Sequence, residues 1–356
     1  MVDLSSNSAV YEVIVISTIK DVALLAGVSP ATVSRVITNK GNIASDTKAK
    51  VLSAMEQINY VPSQSSIAQS KPGTISFSIA RNPKYKLGNP FFSDVLFGIS
   101  DAARRVDYNV NFSLSHNVEE QIASCIKLYR EKQVDGFIFT SVLRSDKDIL
   151  LKSMLEKEIP FVMIGTSLNH HVFSIHNDNI RDSYMATKFL IEKGYRKILF
   201  LTNQLKQDVM YDRLHGYQRA VEEHGLDITS SHVVYSENEE AEITRALDGV
   251  MEEGVAFDAI MTMESIMSLT ALKYCQSKGL RVPEDVGILC FSNAPYLEKM
   301  TPSITGVNLN PDLMGAEAFQ LLYDLIHDRP KASVKKSVTL PSEIMERQST
   351  QRMKLN

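Results

Sequence analysis

The sequence predicts an α/β protein in which a small all-α helix-turn-helix headpiece is followed by a two-lobed parallel-sheet body. Two observations carry this. Three short amphipathic stretches of helical period crowd into residues 18–62, and beyond Lys71 short apolar runs alternate with helix-period segments. The second pattern is that of strand–helix–strand units building a parallel sheet. With 356 residues, 44% of them hydrophobic, the chain can fill the cores of two or three domains.

The first helix is expected from Ile19, where Ile19, Val22, Ala23 and Ala26 repeat at the spacing of one buried face. Thr18 and Asp21, three residues apart, form a capping pair. Gly27 permits the sharp turn that follows. Ser29 can cap the second helix, and Pro30 takes its first position, where a missing N–H costs nothing. Val33, Val36 and Ile37 then face inward, which leaves Ala31, Thr32, Ser34 and Arg35 facing out. That outer set is small and hydroxyl-rich, so the helix can enter a major groove, with Arg35 able to fork onto a guanine edge. A third helix begins near Ser45 or Asp46, buries Val51, Met55 and Ile58, and ends at Asn59-Tyr-Val-Pro62. Three helices in this order form a minimal helix-turn-helix unit.

Charge separates this unit from the rest. Residues 17–71 hold Lys20, Arg35, Lys40, Lys48, Lys50 and Lys71 against Asp21, Asp46 and Glu56, while the whole chain is at −4. A basic module on an acidic body is the asymmetry expected when one end alone meets nucleic acid.

The segments Asp21-Val-Ala, Ala26-Gly-Val-Ser29, Thr32-Val-Ser-Arg35-Val and Asn59-Tyr-Val-Pro62 closely resemble the headpiece of the LacI/GalR family of bacterial transcription factors. The resemblance implies that Pro30, Ala31 and Arg35 read operator bases and that Ser29, Thr32 and Ser34 lie beside phosphates. It adds Thr18 and Asn42 to the DNA-binding set. The next segment departs from the family. Relatives continue into a hinge helix whose Leu wedges into the minor groove, whereas this chain has Ser63-Gln-Ser-Ser-Ile-Ala-Gln-Ser70, with Gln69 at the wedge position. An amide is a poor wedge, so either Ile67 takes that role or residues 63–73 form a polar flexible linker.

Residues 1–16 precede the point where family members begin. They are expected to be an extra, disordered arm or the product of a start assigned too far upstream. The apolar runs are too short to span a bilayer and no signal sequence leads them, so a cytoplasmic protein without membrane contact is expected. Cys125, Cys275 and Cys290 lack metal-ligand spacing and sit in apolar stretches, which points to buried thiols, no disulfide, no metal and no cofactor.

In the body, strands are expected at 75–80, 110–114, 136–140, 161–165, 173–176, 198–202, 233–235, 259–263, 286–291 and 306–308. Helices are expected at 92–106, 119–132, 180–193, 211–224, 240–252, 264–278 and 312–327. Many of these strands are apolar on both faces, so helices should cover the sheets on either side. The amount of sheet calls for two lobes, a first of 74–193 plus 304–332 and a second of 194–303 plus 333–350.

Ligands of such sheets bind at the carboxyl ends of strands. The candidates there are Asn89-Pro-Phe-Phe-Ser93, His176-Asn-Asp178-Asn179, Asp212-Arg213 and Ser292-Asn293. The body also resembles the family's effector domain, which is similar to periplasmic sugar-binding proteins, through to Arg347-Gln-Ser-Thr350. The resemblance implies an effector-binding set of Asn89, Phe91, Phe92, Asp178, Arg213, Met263 and Ser292. Asp178 and Arg213 are the positions that match unchanged, and a carboxylate with a guanidinium suits sugar hydroxyls. Taken alone, Asp178 would read as a helix cap and Arg213 as a surface ion pair. Where relatives carry Asn-Asp and Tyr-Asp-Asp or Tyr-Asn-Asp, this chain has Met263-Glu264 and Phe291-Ser-Asn293. The chain has no Trp, so stacking on a pyranose falls to Phe91, Phe92, Tyr85 or Tyr211.

None of the common hydrolase, phosphate-loop, zinc-protease or dinucleotide motifs is present, which argues against an enzyme. Within the family, the Leu87-to-Ile99 and Ile175-to-Asn179 segments look most like the maltose-operon repressors of Gram-positive bacteria. The expected function is therefore a homodimeric repressor of a sugar-utilisation operon that binds double-stranded operator DNA and a small sugar. The alternative, a sugar-binding protein of the periplasmic type without regulated DNA binding, leaves the basic headpiece without a purpose.

Overall fold

A computed structural model describes residues 18–37, 43–58, 60, 72–80, 90–140, 142–165, 172–227, 229–327 and 335–352. The chain divides into two compact units between Pro72 and Gly73.

The first unit contains α1 (Ile19–Ala26), α2 (Pro30–Ile37) and α3 (Ser45–Gln57). Gly27 ends α1 in the left-handed region at φ 65°, which a residue without a Cβ adopts at no steric cost. Val22, Ala23, Val33, Val36, Val51 and Ala54 are buried together, with Ile19, Ala26, Ile37, Met55 and Ile58 packed around them. The extra segment 1–16 and residues 63–71 of the expected 63–73 hinge or linker, Ile67 and Gln69 included, lie outside the described residues, and Gly73 already belongs to a strand.

The second unit holds two six-stranded sheets. Its first half runs β1 (Gly73–Ala80), α4 (Pro90–Arg104), β2 (Tyr108–Ser115), α5 (Val118–Arg130), β3 (Gly136–Thr140), α6 (Arg144–Glu156), β4 (Phe161–Ile164) and β5 (Phe173–Asn177). There follow α7 (Asn179–Glu192), β6 (Ile198–Thr202), α8 (Asp208–Glu223), β7 (Val233–Tyr235), α9 (Glu240–Glu252), β8 (Ala259–Thr262), α10 (Ser265–Ser277), β9 (Gly287–Cys290), α11 (Pro295–Glu298) and β10 (Thr305–Asn308). The last elements are α12 (Pro311–His327), β11 (Ser337–Leu340) and β12 (Glu343–Met345). The strand orders are β11-β5-β4-β3-β1-β2 and β12-β10-β9-β8-β6-β7. Every pairing is parallel except that of β12 with β10.

The lobes differ from the expected division. Helix α7 contributes Ala186, Leu190 and Ile191 to the core beneath β6 and α8, so it belongs to the second lobe. Strand β10, expected in the first lobe, pairs with β9 in the second sheet, and residues 337–340, assigned to the second lobe without a strand, form β11 and pair with β5 in the first. Hydrophobic period announces a strand but carries no information about which sheet it will join. The chain thus crosses between lobes after β5, after β10 and after β11. One side chain ties these crossings: the buried Asn177 amide donates to the Leu309 carbonyl at 3.3 Å and the Leu340 carbonyl at 3.2 Å. Neither α6 nor α11, nor the short edge strands β11 and β12, was among the expected elements.

The three cysteines are free and buried. Burial pushes the thiols of Cys125 and Cys275 up to about 12.

Candidate functional site

In the headpiece, local rules set one helical face. The Thr18 N–H and Oγ1 both donate to Asp21 Oδ2, at 2.8 and 2.6 Å, which fixes the start of α1. These bonds hold the Asp21 carboxyl below its ordinary range. Ser29 Oγ accepts from the Thr32 N–H at 3.2 Å and meets Thr32 Oγ1 at 2.9 Å, capping α2. Pro30, Ala31 and Arg35 are exposed, and Thr32 and Ser34 are half-buried beside them. Small side chains around one exposed guanidinium let a helix approach base edges closely. Asn42 and Ile67 lie outside the described residues.

The body encloses a cavity of about 780 Å³ whose walls come from both lobes. On the first-lobe side, Phe91 and Phe92 stand at the start of α4 with ring centroids 5.6 Å apart, edge to face. Asp94 and Asp312 also line that wall. Burial, and next the nearby Asp312 charge, raise the Asp94 carboxyl above its usual range.

On the second-lobe side the central group is Arg213, 6% exposed. Its position follows from a helix crossing. A Cβ at Gly216 would lie 2.1 Å from the Ile180 carbonyl, so only glycine lets α8 settle this closely on α7. The crossing sets Ser183 Oγ to donate to the Arg213 carbonyl at 2.5 Å, and Asn179 Oδ1 to accept from Arg213 Nε at 3.2 Å. The guanidinium carbon lies 4.5 Å from the centroid of the Phe291 ring. Burial pulls the guanidinium down to about 10, and the charges of Glu264 and Asp182 act against that fall. It stays protonated at neutral pH, a rigid fork of donors already dehydrated beside an aromatic face. Met263, at the end of β8, and Ser292, in the loop after β9, complete this wall. That loop is braced from the carboxyl-terminal tail, where Arg347 donates to Asn293 Oδ1 at 2.6 Å and to the Ile304 carbonyl at 2.9 Å.

The description "Bacterial regulatory proteins, lacI family" matches residues 18–63, and that of a periplasmic binding protein-like domain matches residues 187–350. The HTH-type transcriptional regulator MalR of Streptococcus pneumoniae is 30% identical over 87% of this chain and 93% of its own length. This chain belongs to the LacI family. The HTH-type transcriptional repressor PurR of Vibrio atlanticus is 31% identical, covering 93% of this chain and 98% of that one. A transcriptional regulator CelR–cellobiose complex superposes with a TM-score of 0.70 at 26% identity, covering 94% of this chain and 99% of that chain. This LacI-family member is accordingly a DNA-binding transcriptional regulator.

Of the effector residues expected in this LacI-family chain, Phe91, Phe92, Arg213, Met263 and Ser292 line the cavity, and Asn89 lies outside the described residues. Asp178 does not line it. That residue is exposed and caps α7, its Oδ1 accepting from the Arg181 N–H at 3.0 Å. A short carboxylate just before a helix is drawn to the open N–H groups there, and it turns away from the cavity. Its neighbour Asn179 takes the inner position instead, holding Arg213. Tyr211 is not part of the lining either, because its ring receives the Arg144 guanidinium at 4.2 Å. Glu264, which also lines the cavity, stands where relatives have Asp, and that correspondence was the signal for it. His176 is present too, its Nε2 3.1 Å from Ser337 Oγ.

Proposed function

We propose that this regulator is a homodimeric repressor of a sugar-utilisation operon of the maltose or maltodextrin type, acting in the cytoplasm, and that a small sugar bound between the lobes sets its operator affinity. The observation that carries the reading is the second-lobe wall, where a buried, dehydrated guanidinium held by Asn179 lies over Phe291 and beside Glu264. Fixed donors, a carboxylate acceptor and aromatic faces on both walls match a pyranose, which alternates hydroxyls with apolar C–H surface. The likeness to MalR, and the cellobiose named in the CelR complex, support the sugar class.

In the headpiece, Arg35 reads base edges, Pro30 and Ala31 approach them, and Thr18, Ser29, Thr32 and Ser34 reach phosphates. Two headpieces in a dimer engage the halves of a near-palindromic operator. The sugar acts only through its preference for one arrangement of the lobes, a coupling of about 1–3 kcal/mol.

A mobility-shift assay on the protein's own upstream region, with and without maltose, maltotriose, cellobiose and free purine bases, tests operator, ligand class and sign together. A saccharide should change the apparent affinity about tenfold. Response to a purine base and to no saccharide would remove the sugar reading.

A further inference from the structure

The first turn of α6 carries Arg144 and Lys147 with one carboxylate, Asp146, between them, so positive charge exceeds negative at a helix N-terminus, where the macrodipole disfavours it. The second carboxylate comes from the other lobe. Asp208, the first residue of α8, pairs with the Lys147 ammonium and lies 3.4 Å from Arg144 Nε. The Lys147 and Asp208 side chains are only 12% and 9% exposed. Beside them the Arg144 N–H donates to the Lys206 carbonyl at 2.9 Å, and the Arg144 guanidinium covers the Tyr211 ring. Lys147, Lys206 and Asp208 all line the cavity, so these contacts close one lip of it while the space within remains.

We infer that the Arg144, Lys147 and Asp208 group is a latch between the lobes. It ties the two lips of the cavity together, and it must open for a ligand to enter or leave on this side. The paired groups sit on separately cored lobes, so losing one partner opens the lip and leaves both cores intact. The chain crosses between lobes near Asn177, Leu309 and Leu340, and the latch supplies a second tie formed by side chains and one backbone bond. The inference does not depend on which small molecule binds.

Hydrogen–deuterium exchange of the ligand-free, full-length protein tests it. In Asp208→Asn, peptides covering 143–148 and 204–211 should exchange roughly tenfold faster, the effect of losing a charge-assisted hydrogen bond. Amides in β8 and β9 should keep their wild-type rates. Lys147→Met should accelerate the same peptides, and the double variant should exchange no faster than Asp208→Asn alone, because the two residues share one interaction. Unchanged exchange in both single variants overturns the latch. So does acceleration spread equally through β8 and β9, or multiplicative effects in the double variant.

Discussion

The headpiece and the effector domain place their working groups in opposite surroundings. Arg35 stands exposed on α2, in a headpiece whose local geometry is set by near neighbours, Thr18 with Asp21 on α1 and Ser29 with Thr32 on α2. Arg213 is buried, and its partners Asn179 and Ser183 lie 34 and 30 positions away in sequence. The difference follows from the partners proposed for them. A DNA groove is large enough to desolvate an exposed side chain as it docks, whereas a small ligand has too little surface to do so, and the protein must prepare a dry group in advance.

The sharpest way to break this comparison is to disturb the packing that buries Arg213. Gly216→Ala should destabilise the effector domain by about 3 kcal/mol, since the added methyl meets backbone that cannot rotate away. Urea denaturation measures it, and an unchanged midpoint would show that the crossing of α7 and α8 does not set the site. Next in size, Arg213→Ala should weaken sugar binding by about 2–3 kcal/mol while leaving operator binding in place. Titration calorimetry and a mobility shift on the same preparation separate the two. Arg213→Lys should restore little, because an ammonium lacks the planar fork.

Arg35→Ala should cost about 2 kcal/mol of operator discrimination and leave the effector affinity untouched. A preference for operator over unrelated duplex reduced about thirtyfold is the expected result in a footprint titration, and an unchanged preference would move base reading elsewhere on α2. The smallest effect belongs to Asp21. Its carboxyl, held by Thr18, should titrate below the ordinary 3.8 in an NMR pH series. Because the folded value is depressed, the cap's contribution is complete above about pH 4 and is lost as pH falls through the folded value. Thr18→Val, which removes the Oγ1 bond and keeps the backbone one, should raise the midpoint part of the way back to the ordinary range.

Much of the cavity lining was legible, and the reasons are specific. Phe91, Phe92, Arg213 and Ser292 were readable because they fall in the first turns or loops that follow strands, positions that converge in a parallel sheet, and Met263 was reached through the resemblance; all five line the cavity. For Asp178 the residue-level reading, a helix cap, is what the structure shows, and the effector role came from the resemblance alone. Capping is a local interaction, and here it won over the cavity. The reading also missed α6, although Ile149, Leu150, Leu151 and Met154 lie within it, and with that helix it missed Lys147 and the latch.

By itself the sequence determined the headpiece, its turn and caps, and the alternating strands and helices of the body, because those depend on spacing, backbone preference and bonds between near neighbours. Tertiary structure alone decided which lobe receives α7, β10 and β11, and that Asn179, not Asp178, turns inward to hold Arg213. It also decided that Asp208 would answer two cations on the opposite lobe. These outcomes rest on contacts between segments far apart in the chain, where glycine gaps and chain crossings set the distances and no local pattern records them.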